Sequence, residues 1–304
     1  MLPEGFRSGF AALAGRPNVG KSTLLNALVG EAVAICTHRP QTTRSRVRGI
    51  VNRPTSQIVF VDTPGIHDCD RAINRFMLDE ARSVIGEVDL AVLLVEATGR
   101  GRQPDSEEED RLALDIIGRA ACPALLAVNK IDLLKNKAEL LPILQAYDRT
   151  GLFDELLPVS AKEQEGLDDL LVAIESRLPK GPRLFPPDIY TDQSERQMVA
   201  ELIRQQVFLL AAAEVPYSVA VEVEAFEEEC DLVRILALLY VERKSQKGIL
   251  IGKGGRMLKS IGSESRKSIE RLLGCRIYLQ LQVKVAARWS HSSAGLDRVG
   301  YRKR

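Results

Sequence analysis

The octapeptide Gly15-Arg16-Pro17-Asn18-Val19-Gly20-Lys21-Ser22 constrains this chain more than any other stretch. It satisfies G-x-x-x-x-G-K-[ST]. Its glycines let backbone N–H groups curl around a phosphate, its lysine reaches the outer phosphates, and its hydroxyl serves a divalent cation. The pattern works only between a strand and a helix. The apolar run 10–14 (FAALA) precedes it, and STLLNALVG follows with helical spacing, so the chain must contain a β–loop–α unit.

Four more apolar runs, at 58–62, 89–97, 124–129 and 155–160, are separated by stretches such as 111–120 and 166–178 that read as helices. The runs are continuous rather than alternating, as in strands buried on both faces. The first fold class is therefore α/β, a mostly parallel sheet in residues 1–180. Four prolines between Pro179 and Pro187 then mark a boundary, read as a stiff linker at 181–193. Residues 194–304 change rhythm: a helix at 194–213, strands at 217–226 and 232–243, a glycine turn, a helix at 256–273 and a strand at 276–285. That order predicts a separate α+β unit.

Charge divides the same way. Residues 241–304 hold sixteen Lys or Arg against four Asp or Glu, a net +12, while the rest of the chain carries −11. A basic third on an acidic body is the pattern of a polyanion-binding appendage. The acidic run 105–110 reads as a solvated helix start. No apolar run approaches the roughly 20 residues of a membrane-spanning helix. The five cysteines form no C-x-x-C pair, which favours reduced thiols in a cytoplasmic protein over a zinc site.

Three further motifs sit at strand ends. Asp62-Thr63-Pro64-Gly65 closes the run 58–62, so Asp62 is placed to hold Mg²⁺ through water and the Gly65 N–H to meet a γ-phosphate. Asn129-Lys130-Ile131-Asp132 closes 124–129, and the Asp132 carboxylate can accept from guanine N1–H and its exocyclic amine. Ser160-Ala161-Lys162 closes 155–160, where backbone donors can reach guanine O6. A site built on those bonds rejects adenine by about 10⁴ to 10⁵, because the wrong base leaves polar groups unpaired. The predicted activity is hydrolysis of GTP to GDP with Mg²⁺, Lys21, Thr43, Asp62 and Gly65 acting on the phosphates. In the basic loop 38–44 (HRPQTTR), Thr43 is favoured over Thr42 as the second hydroxyl ligand beside Ser22. Ile66 stands where Ras-like enzymes carry the water-orienting glutamine, so intrinsic turnover is expected to be slow. His67 is weighed as a substitute and read as an ordinary loop histidine.

In the basic third, Gly252-Lys253-Gly254-Gly255 forms a G-x-x-G turn between helical segments. Such turns clamp a nucleic-acid backbone because glycine lets phosphates approach the main chain. Lys244, Lys247, Lys253, Arg256, Lys259 and Arg266 are the expected phosphate contacts. Trp289 and Tyr301 are either base-stacking or packing residues.

Together GRPNVGKS, PQTTR, DTPGIH, NKID and SAK, with VPYSVAVEVE (215–224), VERKSQKGILIGKGG (241–255) and WSH…LDRVGY (289–301), resemble the Era family of bacterial ribosome-assembly GTPases over nearly the whole chain. The resemblance implies GTP-binding roles for Gly15 to Ser22, Asp62 to Ile66 and Asn129 to Asp132, and a type II KH unit at 194–304. It further implies binding of that unit near the 3′ end of 16S ribosomal RNA in late small-subunit assembly, and peripheral association with the inner membrane. Related GTPases with asparagine at the position of Asn18 use it to bind K⁺ beside the phosphates; a structural asparagine is the alternative. A monomer is expected. Two other readings are a tRNA- or ribosome-associated relative and an RNA-binding protein that holds GTP with negligible turnover. The first is disfavoured because the chain has one P-loop and no cysteine motif at its C-terminal end.

Overall fold

The computed structural model describes residues 3–66, 71–98, 103–104, 108–211 and 214–301. The chain divides into two compact units, residues 1–70 with 74–192, and residues 71–73 with 193–304.

In the first unit six strands, β1 (Arg7–Ala14), β2 (Val47–Asn52), β3 (Ser56–Asp62), β4 (Leu90–Glu96), β5 (Ala124–Asn129) and β6 (Glu155–Pro158), form one sheet in the order β2-β3-β1-β4-β5-β6. All neighbours run parallel except β2 and β3. Alternate residues of each strand enter opposite faces. Ala11, Leu13, Phe60, Val92 and Leu125 meet α1 (Lys21–Val29) and α5 (Leu167–Arg177). Ala12, Val61, Leu93 and Leu126 meet α2 (Ala72–Glu87), α3 (Glu108–Gly118) and α4 (Leu140–Asp148). Burial on both faces explains the unbroken apolar runs. Parallel pairing also places the carboxyl ends of β1, β3, β4, β5 and β6 on one edge, where an open α/β sheet holds its ligand.

Residues 181–193, expected as a linker, are instead largely strapped to this unit. Ser8 Oγ donates to Pro182 O, the Ile50 N–H donates to Tyr190 O (2.9 Å), and Thr191 Oγ1 donates to Arg48 O (2.7 Å). Arg48 pairs with Asp192 (2.6 Å). The Gln57 carboxamide anchors the middle: Oε1 accepts from Leu184 N–H (2.7 Å) and Phe185 N–H (2.9 Å), while Nε2 donates to Phe185 O (2.9 Å) and Asn52 Oδ1 (2.8 Å). The prolines stiffen the segment, but these bonds fix it.

The second unit begins with α6 (Glu195–Leu210), capped reciprocally by Ser194 and Gln197. Strands β7 (Ala220–Glu229), β8 (Leu232–Val241) and β9 (Arg276–Val285) form a sheet in that order, with β7 antiparallel and β9 parallel to β8. Helices α7 (Lys244–Ile251) and α8 (Arg256–Leu273) flank the glycine turn, and α9 (Ser293–Arg298) lies near the end. Val199, Ile203 and Val207 of α6 and Ile261 and Ile269 of α8 cover Ile235, Ala237 and Leu239 of β8. Trp289 is only 1% exposed, its indole N–H donates to Ser218 O (3.0 Å), and Tyr301 stacks on its ring. Trp289 is thus a packing residue, and its buried ring is not open to bases.

Gln57→Ala removes the anchor of the strap and leaves two N–H groups without their acceptor. At about 1–3 kcal/mol for each group left unpaired, and with water reaching part of the strap, the expected loss is about 3 kcal/mol. Scanning calorimetry should show the melting temperature falling by roughly 6–12 °C. A shift below about 2 °C would mean that the strap contributes little to this unit.

Candidate functional site

The loop after β1 turns through Gly15, Asn18 and Gly20, all at positive φ (142°, 65° and 104°). This curls the backbone into a cradle and ends on α1, whose first residues are Lys21 and Ser22. A cleft of about 460 Å³ opens above it, lined among others by Asn18, Lys21, Thr43, Gly65, Asp132 and Lys162, within the usual size of a small-ligand site.

Lys21 is 6% exposed, and its ammonium donates to Gly15 O and Arg16 O, both at 2.9 Å. Burial pulls its pKa down to about 8, against the opposing charge of Asp62. Asp62 has no exposed surface; burial raises its pKa, while Lys21 and the Ser22 and Thr43 hydroxyls oppose the rise. Its Oδ2 accepts from Ser22 Oγ (2.7 Å) and Thr43 Oγ1 (3.0 Å), and those two hydroxyls lie 3.0 Å apart. Asp62 Oδ1 is buried with no hydrogen-bond partner. Two hydroxyls and a carboxylate with an unused oxygen form an all-oxygen donor set that suits a hard cation such as Mg²⁺. Thr42 lies apart from this group, its hydroxyl donating to Arg39 O (2.9 Å).

The segment after β3 is laced to β1: Thr63 Oγ1 donates to Leu13 O (2.8 Å) and the Ile66 N–H to Gly15 O (3.1 Å). That brings Gly65 to the cleft, while the Ile66 side chain, 0% exposed, enters the core beside Ala14 and Val61. His67 lies outside the described residues.

Asn129 organises the opposite end. Its Nδ2 donates to Val19 O (2.8 Å) and its Oδ1 accepts from the Ala161 N–H (3.0 Å), so one carboxamide joins the phosphate loop to the loop after β6. Ser160 Oγ donates to Asp132 Oδ1 (2.6 Å) and so orients the carboxylate. Of the backbone donors expected for guanine O6, the Ser160 N–H is engaged by Glu165 O and the Ala161 N–H by Asn129. Asn18 donates to His38 O (3.4 Å). Asp110, expected as solvated, is 4% exposed and pairs with Arg16 at 2.8 Å; residues 105–107 of the same run lie outside the described residues.

In the second unit α7 ends at Gly252 (φ 74°), and Gly254 and Gly255 also have positive φ (63° and 78°). A side chain at Gly252 would strike Met257, whereas the space around Gly254 is open. Lys244, Lys253, Arg256 and Lys259 are exposed around the turn, and Lys247 is half-buried. Arg266 is exposed but ion-paired with Glu270 (2.9 Å).

A phosphate-loop motif, an oxygen-only cluster of Ser22, Thr43 and Asp62 and an N-K-x-D loop at the carboxyl edge of a parallel sheet define a P-loop GTPase, joined in this chain to a KH unit. Residues 10–130 match the family model described as a 50S ribosome-binding GTPase, and residues 214–290 match the KH domain model. The chain is 47% identical to GTPase Era of Geobacter sp. (strain M21) over 99% of its length and 100% of the relative's. It is 46% identical to GTPase Era of Stenotrophomonas maltophilia (strain R551-3) over 96% and 97%. It therefore belongs to the Era GTPase family. Two solved structures, an Aquifex aeolicus Era variant bound to GDP·AlF₄⁻ and an Era complex with MgGDPNP and nucleotides 1506–1542 of 16S ribosomal RNA, each superpose with TM-score 0.92 at 33% identity, covering 98% of this chain and 100% of theirs.

Asn129→Ala deletes both bonds of the central carboxamide while leaving Lys21 and Asp132 in place. A loss of about 3 kcal/mol corresponds to roughly a hundredfold weaker GDP binding, measured by titration of a fluorescent GDP analogue. Unchanged affinity would show that the two loops hold their positions without it.

Proposed function

We propose that this GTPase binds the 3′ end of 16S ribosomal RNA through its KH unit and couples its GTP cycle to late assembly of the small ribosomal subunit. The observation that carries the reading is the whole-chain likeness to the Era structure that holds MgGDPNP and nucleotides 1506–1542 of 16S ribosomal RNA. The matching family model is described by the large subunit but spans only residues 10–130. The small-subunit reading rests on the RNA-binding half as well, where the G-x-x-G turn opens within a net charge of +12.

In this reading the phosphates of GTP or GDP lie in the loop from Gly15 to Ser22. Lys21 turns its ammonium from the Gly15 and Arg16 carbonyls to the β- and γ-phosphates. Ser22, Thr43 and, through water, Asp62 would hold Mg²⁺, which when bound neutralises charge on the phosphate oxygens. The Gly65 N–H meets the γ-phosphate. Asp132, oriented by Ser160, accepts from guanine N1–H and the 2-amino group. Ile66 lies in the core and cannot orient the attacking water, so unstimulated turnover is slow. Asn18 would help hold a K⁺ ion, which would supply positive charge beside the phosphates. The protein works as a cytoplasmic monomer. Among the described residues no helix is long and apolar enough to cross a membrane, so contact with the inner membrane would be peripheral and electrostatic.

Single-turnover hydrolysis should run faster in K⁺ than in Na⁺ at equal ionic strength, and Asn18→Ala should abolish the difference; equal wild-type rates in the two salts would end the K⁺ assignment. Gly254→Asp places a carboxylate where a phosphate must approach, at a position with open space and a φ that Asp tolerates. Losing one phosphate contact lowers the salt slope by about 0.7 on single-stranded RNA. Steric exclusion adds to this, so binding to an RNA of the 16S 3′-end sequence should fall at least tenfold while GDP affinity stays within twofold. RNA binding equal to wild type at matched salt would remove the KH reading.

A further inference from the structure

Four charged groups beneath the nucleotide cleft form a chain that the mechanism above does not use. Arg16, in the phosphate loop, pairs through Nε with Asp110 of α3 (2.8 Å) and through Nη2 with Glu96 at the end of β4 (3.7 Å). Glu96 in turn accepts from the ammonium of Lys130 at 2.9 Å. The backbone runs alongside, the Ala97 N–H donating to Asn129 O at 2.7 Å. The side chains are 12% (Arg16), 5% (Asp110), 24% (Glu96) and 30% (Lys130) exposed. They form a partly buried network rather than isolated surface pairs, which is the arrangement in which ion pairs hold geometry.

Lys130 sits at positive φ (66°) in N-K-x-D, between Asn129 and Asp132, and lines the cleft. Its ammonium pairs with Glu96. Arg16 lies at the other half, among the phosphate-binding residues. Glu96 meets both cations.

We propose that Glu96 is a positioning residue that sets the base half of the nucleotide site in register with the phosphate half. It touches neither half of the ligand. It fixes the distance between Arg16 and Lys130, so a nucleotide that matches one half finds the other in place. The advantage falls only on a ligand that spans both halves, as with two linked binding modules whose separation is preset. The inference rests on the nucleotide reading of the cleft, which wild-type binding of GDP tests separately.

The experiment uses the full chain and three probes in competition with a fluorescent GDP analogue: GDP, guanosine as the base half alone, and pyrophosphate as the phosphate half alone. Glu96→Gln keeps the shape and removes both ion pairs. It should weaken GDP about tenfold, mostly through faster release, while the inhibition constants of guanosine and pyrophosphate stay within twofold. Glu96→Asp should restore part of the loss, and for GTP hydrolysis the deficit should appear in KM rather than kcat. Adding Arg16→Met to Glu96→Gln should cost less than the two single effects combined, since both cut one chain. Equal weakening of guanosine and GDP would place Glu96 in the base slot alone. Proportional loss of all three probes together with a lower melting temperature would make it only structural, and unchanged GDP binding would leave it without a role. Each of these three results overturns the proposal.

Discussion

One carboxamide, that of Asn129, ties together three strand ends on which nucleotide binding depends. It stands at the end of β5, donates to Val19 in the loop after β1, and accepts from Ala161 in the loop after β6. Parallel pairing brings these loops to the same edge but does not fix their spacing, since each is a turn with its own freedom. A buried amide with both its functions engaged is costly to displace, and Asn129 is 2% exposed. The Lys130–Glu96–Arg16 chain repeats the connection on the outer side in charges rather than neutral bonds. The loops after β1 and β5 are thus joined twice, by means that respond differently to salt.

The phosphate end is organised around opposite charges kept out of water. Lys21 and Asp62 are both buried, and desolvation shifts each toward its neutral form while the charge of the other opposes the shift. The lysine donates to two main-chain carbonyls, and Asp62 accepts from two hydroxyls that satisfy only one of its oxygens. Phosphate oxygens offer Lys21 a stronger acceptor than a peptide carbonyl.

The sequence made the chemistry more legible than the architecture around it. The phosphate loop, D-x-x-G, N-K-x-D and S-A-K each combine a spacing with a strand end, and the five parallel strands announce themselves by unbroken apolar runs. β2 does not: VRGIVN is short, carries Arg48 and Gly49, and gains its place by antiparallel pairing at the sheet edge. α2 and α4 fall in stretches between the apolar runs, where the sequence implies helices without marking their ends. Asp110 misled because an acidic run is normally solvated, and only the fold brings Arg16 to it. Glu96 carries no motif, and its partners lie 80 and 34 residues away in sequence. Trp289 could not be separated from a stacking residue until Ser218 and Tyr301 enclosed it.

The strap shows how far a compositional reading carries. Proline density correctly signals that residues 181–193 continue neither a helix nor a central strand. As a free proline-rich spacer of thirteen residues they would reach about 40 Å. The polar side chains of β2 and β3, above all Gln57 and Arg48, supply the partners that an extended proline-rich backbone lacks within itself. Hydrogen bonds from Leu184 to Asp192 therefore convert a spacer into part of the first unit. Only Gln193 separates Asp192 from Ser194, the N-cap of α6. The point where the chain leaves the first unit is held by Arg48 and Ile50 of β2, the strand that the Thr43 loop enters. The proline-rich segment is thus bonded to an edge strand of the first unit.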